Sequence, residues 1–253
     1  MRAVIVGAGQ MGRWFADVTA GWLDPSFVDA DPDRAAAAAA DTDADWIQAA
    51  DVNSVPIIVT AVPLTATADV LREFGPLATD AVIDLSGSMS GPMTALQDTV
   101  PDREQLCLHP LFAPENAPGT VAVVTDKEGP IGADLRRTLD RQGYTLLDTT
   151  PERHDEAMKS VQAASHAAIL AYALAAEPVD PRFHTPVSKG ITELVEMVVN
   201  GNPRVYGDIQ STFDGADDVA REAAQIANSD AEAFIEYYRT AADRWSTADQ
   251  SES

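Results

Sequence analysis

The glycine-rich segment Gly7-Ala8-Gly9-Gln10-Met11-Gly12 restricts the folds open to this chain more than any other stretch. It follows a short apolar run, residues 3–6, and opens a helical stretch, so it reads as the first strand–turn–helix of a dinucleotide-binding sheet. Gly7 permits the tight turn, Gly9 lets backbone approach a pyrophosphate, and Gly12 lets helix and strand pack closely. The helix that starts here offers unpaired N–H groups and the positive end of its dipole to phosphate. Asp29 ends the second apolar run, about 20 residues on, where a carboxylate accepts hydrogen bonds from the adenosine ribose. A carboxylate there favours a free 2′-hydroxyl over a 2′-phosphate, so NAD is expected rather than NADP. Asp31 adds negative charge nearby, and Arg34 offsets part of it.

Beyond the glycine loop, β-branched runs alternate with helical stretches. Strands are expected at residues 3–6, 26–29, 56–62, 81–85, 105–108, 121–125 and 144–147. Most are continuously apolar, as strands buried on both faces are. Near residue 150 the pattern changes. Thr150-Pro151-Glu152 reads as an N-cap, a proline at the first helical position and an early acidic residue. One long helix is expected from there through Ala176, with Met158, Val161, Ile169 and Tyr172 spaced to form an apolar stripe. Pro178, Pro181 and Pro186 punctuate a loop, and helical text resumes over 190–200 and 203–245, leaving 246–253 as a frayed tail. The expected fold class is α/β: a Rossmann-type, mainly parallel sheet domain over 1–150, followed by an all-α domain over 151–253.

Composition narrows the function classes. The chain carries 40 acidic residues against 17 basic, a formal net charge of −23 with a pI near 4.2. That balance excludes a broadly basic nucleic-acid surface and a polybasic membrane anchor. Lys127, Lys159 and Lys189 are the only lysines. Many carboxylates with few lysines and much alanine point to a halophile, because salt screens the self-repulsion of so large a charge. Cys107 is the single cysteine, so one chain forms no disulfide and no cysteine zinc cluster, and no metal is expected. No apolar run reaches membrane-spanning length, and the N-terminal run is too short for a signal peptide, so a cytoplasmic protein is expected.

Chemistry needs a proton acceptor near the carboxyl ends of the strands. His109 follows Leu106-Cys107-Leu108 and precedes Pro110, which puts it at a strand end. Imidazole suits accepting a proton from an alcohol as hydride leaves. Leu108-His109-Pro110-Leu111-Phe112-Ala113-Pro114 resembles the His-Pro-Met-Phe-Gly-Pro segment of prephenate dehydrogenases. His154-Asp155-Glu156-Ala157-Met158-Lys159-Ser160-Val161-Gln162, with His166 after it, resembles that family's His-Asp helix opening. The serine loop from Asp84 to Pro92, Thr60-Ala61-Val62-Pro63, and Asn202-Pro203-Arg204-Val205-Tyr206-Gly207-Asp208-Ile209 also match, in the family's order. The likeness is to the dehydrogenase part of bacterial enzymes fused to chorismate mutase. With a strand opening at residue 3 that mutase is not expected here, and no distinct C-terminal regulatory domain is expected either.

The resemblance implies a small-molecule substrate, prephenate, oxidised and decarboxylated to 4-hydroxyphenylpyruvate in tyrosine biosynthesis with NAD as cofactor. It implies His109 as catalytic base and, for NAD, Gly7, Gly9, Gln10, Met11, Gly12, Asp29, Val62 and Pro63. The family places a serine beside the histidine. A gapless match puts Gly87 there, and a one-residue shift selects Ser88, with Ser86 behind it. His166 matches the substrate-binding histidine, with Gln162 one turn earlier on the same face. His154, some 18 Å from His166 along an unbroken helix, either contacts substrate or orders the domain junction. The family's carboxylate-binding arginine falls on Met197, so Lys189 or Arg204 is expected to replace it. Arogenate stays open as a substrate. So does a dinucleotide-binding regulatory protein with a decayed site. A homodimer through the helical half is implied, and the apolar face of Ile191, Leu194, Val195, Val198 and Val199 supports it.

Overall fold

The computed structural model describes residues 1–248. Its first compact unit comprises residues 1–158 together with 207–212. In chain order it contains β1 (Arg2–Val6), α1 (Gln10–Val18), β2 (Asp24–Val28), α2 (Pro32–Thr42), β3 (Asp45–Trp46), β4 (Val55–Thr60) and α3 (Leu64–Phe74). There follow β5 (Ala78–Asp84), α4 (Ser90–Thr99), β6 (Glu104–Pro110), β7 (Thr120–Lys127), α5 (Pro130–Arg141), β8 (Thr145–Asp148) and α6 (Pro151–Met158). The strands form one sheet in the order β3-β2-β1-β4-β5-β6-β7-β8. All neighbours pair in parallel except β6 and β7, which are antiparallel. The connection over 111–119 is too short for a helical crossover, which takes a dozen residues or more, so the chain turns back beside β6.

Alternating strand residues serve the two faces. Ile5, Phe27, Val59, Ile83, Leu106 and Val123 meet Phe15 of α1, Ala38 of α2 and Leu135 of α5 on one side. Val4, Val6, Ile58, Val82, Cys107 and Val124 meet Leu71 of α3 and Leu96 of α4 on the other. This two-sided burial is why the strands read as continuous apolar runs. Each fully buried Ile, Leu or Phe contributes about 1.5–3 kcal/mol relative to exposure.

Among the helices on this sheet that lack a capping side chain of their own, α4 starts after Met89 and α5 after Gly129. Remote carboxylates supply the caps. Glu104 accepts the N–H groups of Ile131 at 3.1 Å and Gly132 at 2.8 Å. Asp155 accepts those of Met89 at 2.9 Å and Ser90 at 3.0 Å. A carboxylate against a helix N-terminus satisfies orphan donors and opposes the dipole.

The second compact unit comprises 159–206 and, among the described residues, 213–248. It is helical, with α7 (Ser165–Ala175), α8 (Pro186–Val199), most of its sequence neighbour α9 (Pro203–Thr212) outside it, then α10 (Ala216–Asn228) and α11 (Ala231–Ala248). Within it α7 packs on α8 and α10. Thr185 and Ser188 cap α8 reciprocally, with Pro186 at its first position. The expected single helix to Ala176 is divided: α6 and α7 flank a π-helical stretch, Lys159–Ala164. Gly215, at φ +140°, closes on that stretch, and a Cβ there would lie 2.5 Å from the Lys159 carbonyl oxygen. The expected tail also changes: α11 runs to Ala248, and 249–253 lie outside the described residues. The units divide after Met158 rather than at 150, because α6 belongs with the sheet through the Asp155 cap on α4.

The remote caps are testable. Glu104→Ala removes both acceptors at the start of α5. It should lower stability by about 1–2 kcal/mol, read as a reduced denaturant midpoint at constant slope. An unchanged midpoint would show that the cap contributes nothing.

Candidate active site

The glycine loop lies between the carboxyl ends of β1 and β4, where the strand order reverses and ligands of open α/β sheets bind. Gly7 sits at φ +109°, and its N–H donates to the Val28 carbonyl at 2.7 Å. A Cβ on Gly7 would lie 2.2 Å from the Ala61 carbonyl oxygen, and one on Gly12 2.2 Å from that of Gly7. The protein's own backbone therefore demands both glycines. Gly9 differs, since a Cβ there meets only the end of Arg34, at 3.9 Å. What Gly9 keeps clear is open backbone at the start of a helix, a cradle fit for a pyrophosphate. Gln10 and Met11 begin α1. Pro63 precedes α3, and Val62 comes within 3.2 Å of the Cβ position of Gly7. Asp29 is pinned by two backbone N–H groups, Ala8 at 2.9 Å and Asp31 at 3.0 Å. An ionised carboxylate has about four acceptor sites, so it retains capacity for ribose hydroxyls.

At the carboxyl end of β6 three side chains form a line. His109 Nδ1 lies 2.8 Å from His154 Nε2, and His154 Nδ1 lies 2.8 Å from Asp155 Oδ1. The two rings meet edge to face with centroids 5.1 Å apart. Both are buried, His109 to 7% exposure and His154 to 3%. Burial, and then the neighbouring His154, lower the His109 pKa to about 3 against the opposing pull of Asp155. Desolvation would raise Asp155, but hydrogen bonds from His154, Ser90 and Met89 hold it down to about 2. Since both ring nitrogens of His154 are engaged, its role shifts from the substrate contact considered above to a partner of His109.

The loop after β5 completes this end of the sheet. Asp84 is 1% exposed and accepts from Thr60 Oγ1 at 2.5 Å, from the Ser86 N–H at 3.1 Å and from the Ser86 hydroxyl. Burial raises its pKa to about 6, against those hydrogen bonds. Asp84 is the register partner of Cys107 on β6, whose thiol is pushed well above its usual value by burial and by Asp84 and Asp155. Ser86 is thus committed to Asp84, and its hydroxyl also reaches the Ser88 carbonyl at 3.0 Å. The loop position that abuts the His109 ring is Gly87, where a Cβ would lie 3.4 Å from His109 Nε2. The gapless match to the family serine thus falls on a position that lies against the His109 ring.

In the second unit, His166 meets the Tyr206 ring edge on, with centroids 4.7 Å apart. Its Nδ1 is buried with no hydrogen-bond partner among the described residues, and burial lowers its pKa. Gln162 lies in the π-helical stretch. Lys189 is exposed, 3.9 Å from Glu193 on the next turn of α8. Arg204 is also exposed, at the start of α9, with its backbone N–H on Asn202 Oδ1 at 3.0 Å. Met197 is 68% exposed. Among the described residues no group of three or more His, Cys, Asp or Glu side chains is arranged to hold a metal. Sequence reasoning missed Asp155, Asp84 and Tyr206 as site residues. The adjacent His-Asp pair was visible, but its target at β6 and α4 was not.

No protein-family model matches the chain. Among proteins of known description, it is 30% identical to a 4-amino-4-deoxyprephenate dehydrogenase of Streptomyces pristinaespiralis, over 88% of this chain and 80% of that one. It is 22% identical to a Methanocaldococcus jannaschii protein described as an arogenate/prephenate dehydrogenase, over 74% of this chain and 47% of that longer one. A T-protein of Enterobacter agglomerans is 26% identical, and the match spans 56% of its length. Among solved structures, prephenate dehydrogenase from A. aeolicus in complex with hydroxyphenyl propionate and NAD+ shares the fold. Its TM-score is 0.70 at 16% identity, covering 98% of this chain and 95% of the other. With the first relative matched at this identity over most of both chains, this chain belongs to the prephenate dehydrogenase family of oxidoreductases.

Proposed function

We propose that the chain catalyses the NAD-dependent oxidative decarboxylation of prephenate to 4-hydroxyphenylpyruvate. The observation that carries this reading is a buried histidine, backed by a second histidine and a carboxylate, at the strand end of the sheet that also bears the glycine cradle. The cradle of Gly7, Gly9 and Gly12, the start of α1 at Gln10 and Met11, Asp29, and Val62 with Pro63 hold the NAD, which when bound supplies the hydride acceptor. His109, held neutral by burial, accepts the hydrogen bond of the ring hydroxyl and draws electron density toward the carbon that loses hydride. Loss of carbon dioxide from the opposite ring position then yields an aromatic ring. His166 and Gln162 bind a substrate carboxylate, and Lys189 or Arg204 supplies the cation that Met197 does not. Ser86 holds the loop through Asp84.

A specific observation also favours a ring-amino substrate. Gly87 leaves no hydroxyl donor at the position beside His109 Nε2, and the relative from S. pristinaespiralis is named for 4-amino-4-deoxyprephenate. An amino group offers donors and keeps its lone pair for the ring, so it needs only an acceptor. NADH formation from prephenate, arogenate and 4-amino-4-deoxyprephenate, compared as kcat/KM, decides the substrate. Prephenate is expected to lead, and a faster ring-amino substrate replaces it in this assignment. His109→Asn should leave NAD affinity nearly intact and lower kcat by about 10²–10⁴-fold. In the wild type the acid limb of kcat/KM should fall below the ordinary histidine value of about 6.5, because burial disfavours the imidazolium. Near-normal turnover of the variant removes His109 from the mechanism.

Cofactor choice rests on Asp29. Asp29→Ala should raise the KM for NAD and narrow the preference over NADP. Equal wild-type efficiency with both cofactors would refute the assignment.

We further propose a homodimer formed through the second unit, in a protein adapted to high salt and working in the cytoplasm. All but three of the strongly exposed large apolar side chains among the described residues lie in that unit, among them Leu174, Phe183, Val187, Tyr238 and Trp245. Two subunits of charge −23 repel until counterions screen them. No helix among the described residues is long and apolar enough to cross a membrane. Light scattering across a salt series should show a dimer mass at molar salt and dissociation as salt is withdrawn. An active monomer at molar salt defeats the dimer, and a dimer indifferent to salt defeats the halophilic part.

A further inference from the structure

The line from Asp155 through His154 to His109 determines where its protons sit. Asp155 is an ionised carboxylate that already accepts the N–H groups of Met89 and Ser90, so it has no proton to give. Its 2.8 Å contact with His154 therefore requires a hydrogen on His154 Nδ1. In its neutral form His154, with that hydrogen on Nδ1, presents a bare Nε2. The 2.8 Å contact from that nitrogen to His109 Nδ1 requires the hydrogen to be on His109. His109 Nε2, the nitrogen toward Gly87, is left carrying the lone pair. Free histidine in water prefers the opposite tautomer, with its hydrogen on Nε2, so the line imposes a choice that the residue alone would not make.

We propose that His154 and Asp155 are positioning residues that lock His109 in its Nδ1–H tautomer, and that His154 is where the substrate's proton comes to rest during the reaction. The second half rests on the proposed function and the first does not. In the step, the substrate O–H bond breaks and an Nε2–H bond forms on His109, while the Nδ1–H of His109 passes to His154 Nε2. Positive charge so arrives on His154 beside the Asp155 carboxylate, not on His109, where burial makes an imidazolium unfavourable. Hydride leaves the same ring carbon to the nicotinamide, and carbon dioxide leaves the ring with its electron pair retained there. The phenolate oxygen takes the proton back along the same path. No net proton is released, and electrons balance as one hydride transferred.

The test uses the full chain labelled with ¹⁵N-histidine. Imidazole nitrogen shifts near neutral pH should report Nδ1–H for both His109 and His154, and Nε2–H on His109 in the wild type overturns the proposal. Two variants separate position from proton storage. His154→Phe offers His109 no acceptor, so His109 should revert to Nε2–H, with kcat down about 10²–10³-fold and KM little changed. His154→Gln offers a carbonyl oxygen to His109 Nδ1–H but no basic nitrogen. It should keep the tautomer and recover only part of kcat. Full recovery with Gln overturns proton storage at His154, and wild-type kcat with Phe overturns the positioning role. If either variant fails to fold, the wild-type spectrum still decides the tautomer. A chain inactive on prephenate but showing these shifts would refute the proposed function and leave the tautomer lock standing.

Discussion

The carboxylate of Asp155 is the interaction on which the His109 end of the sheet depends. One oxygen and then the other take the first N–H groups of α4, a helix whose own N-cap, Met89, has no side chain able to do so. The same carboxylate holds His154, which holds His109. Removing it would leave two backbone donors unsatisfied and a buried histidine pair without its charge partner, each costly in a low-dielectric site. Helix α4, the serine loop before it and His109 are thus tied to one group, so a shift of the loop disturbs His109.

A second buried carboxylate works in the opposite electrostatic regime. Asp84 has hydrogen-bond donors but no cation, and burial raises its pKa to about 6, whereas Asp155 is kept ionised. The contrast follows from partners: Asp155 gathers two helix N–H groups and an imidazole, and Asp84 gathers two hydroxyls and one N–H. Below neutrality Asp84 takes up a proton in the folded chain before an unfolded Asp would. Its contribution to stability therefore grows as pH falls from about 6 toward 4, the reverse of Asp155.

The net charge and the second unit pose a different problem. A chain of −23 that also exposes large apolar side chains on one helical unit is self-repelling and adhesive at once. Screening by salt weakens the first property and leaves the second, which is the physical basis for linking assembly to ionic strength.

Sequence alone determined what short-range rules govern. Gly7 and Gly12 could be assigned because a turn with positive φ and a tight helix–strand contact admit no other residue, and the structure puts carbonyl oxygens 2.2 Å from both Cβ positions. The apolar strands were legible because two-sided burial leaves continuous runs, and the helical second half because no strand pattern interrupts it. Tertiary structure decided what depends on residues far apart in the chain. The π-helical stretch before α7 was invisible because α and π turns share composition and Gly215 reaches it from another helix. Gly87 comes against His109 because β5 and β6 pair in one register, which no local pattern states. His154 and Asp155 are adjacent to each other, but His154 is 45 residues from His109, and Asp155 is 65 and 66 residues from Ser90 and Met89 at the start of α4. Their contacts with His109 and with α4 are written only in the packing of α6 on α4, because a hydrogen bond is specified by where two atoms meet and not by the chain between them.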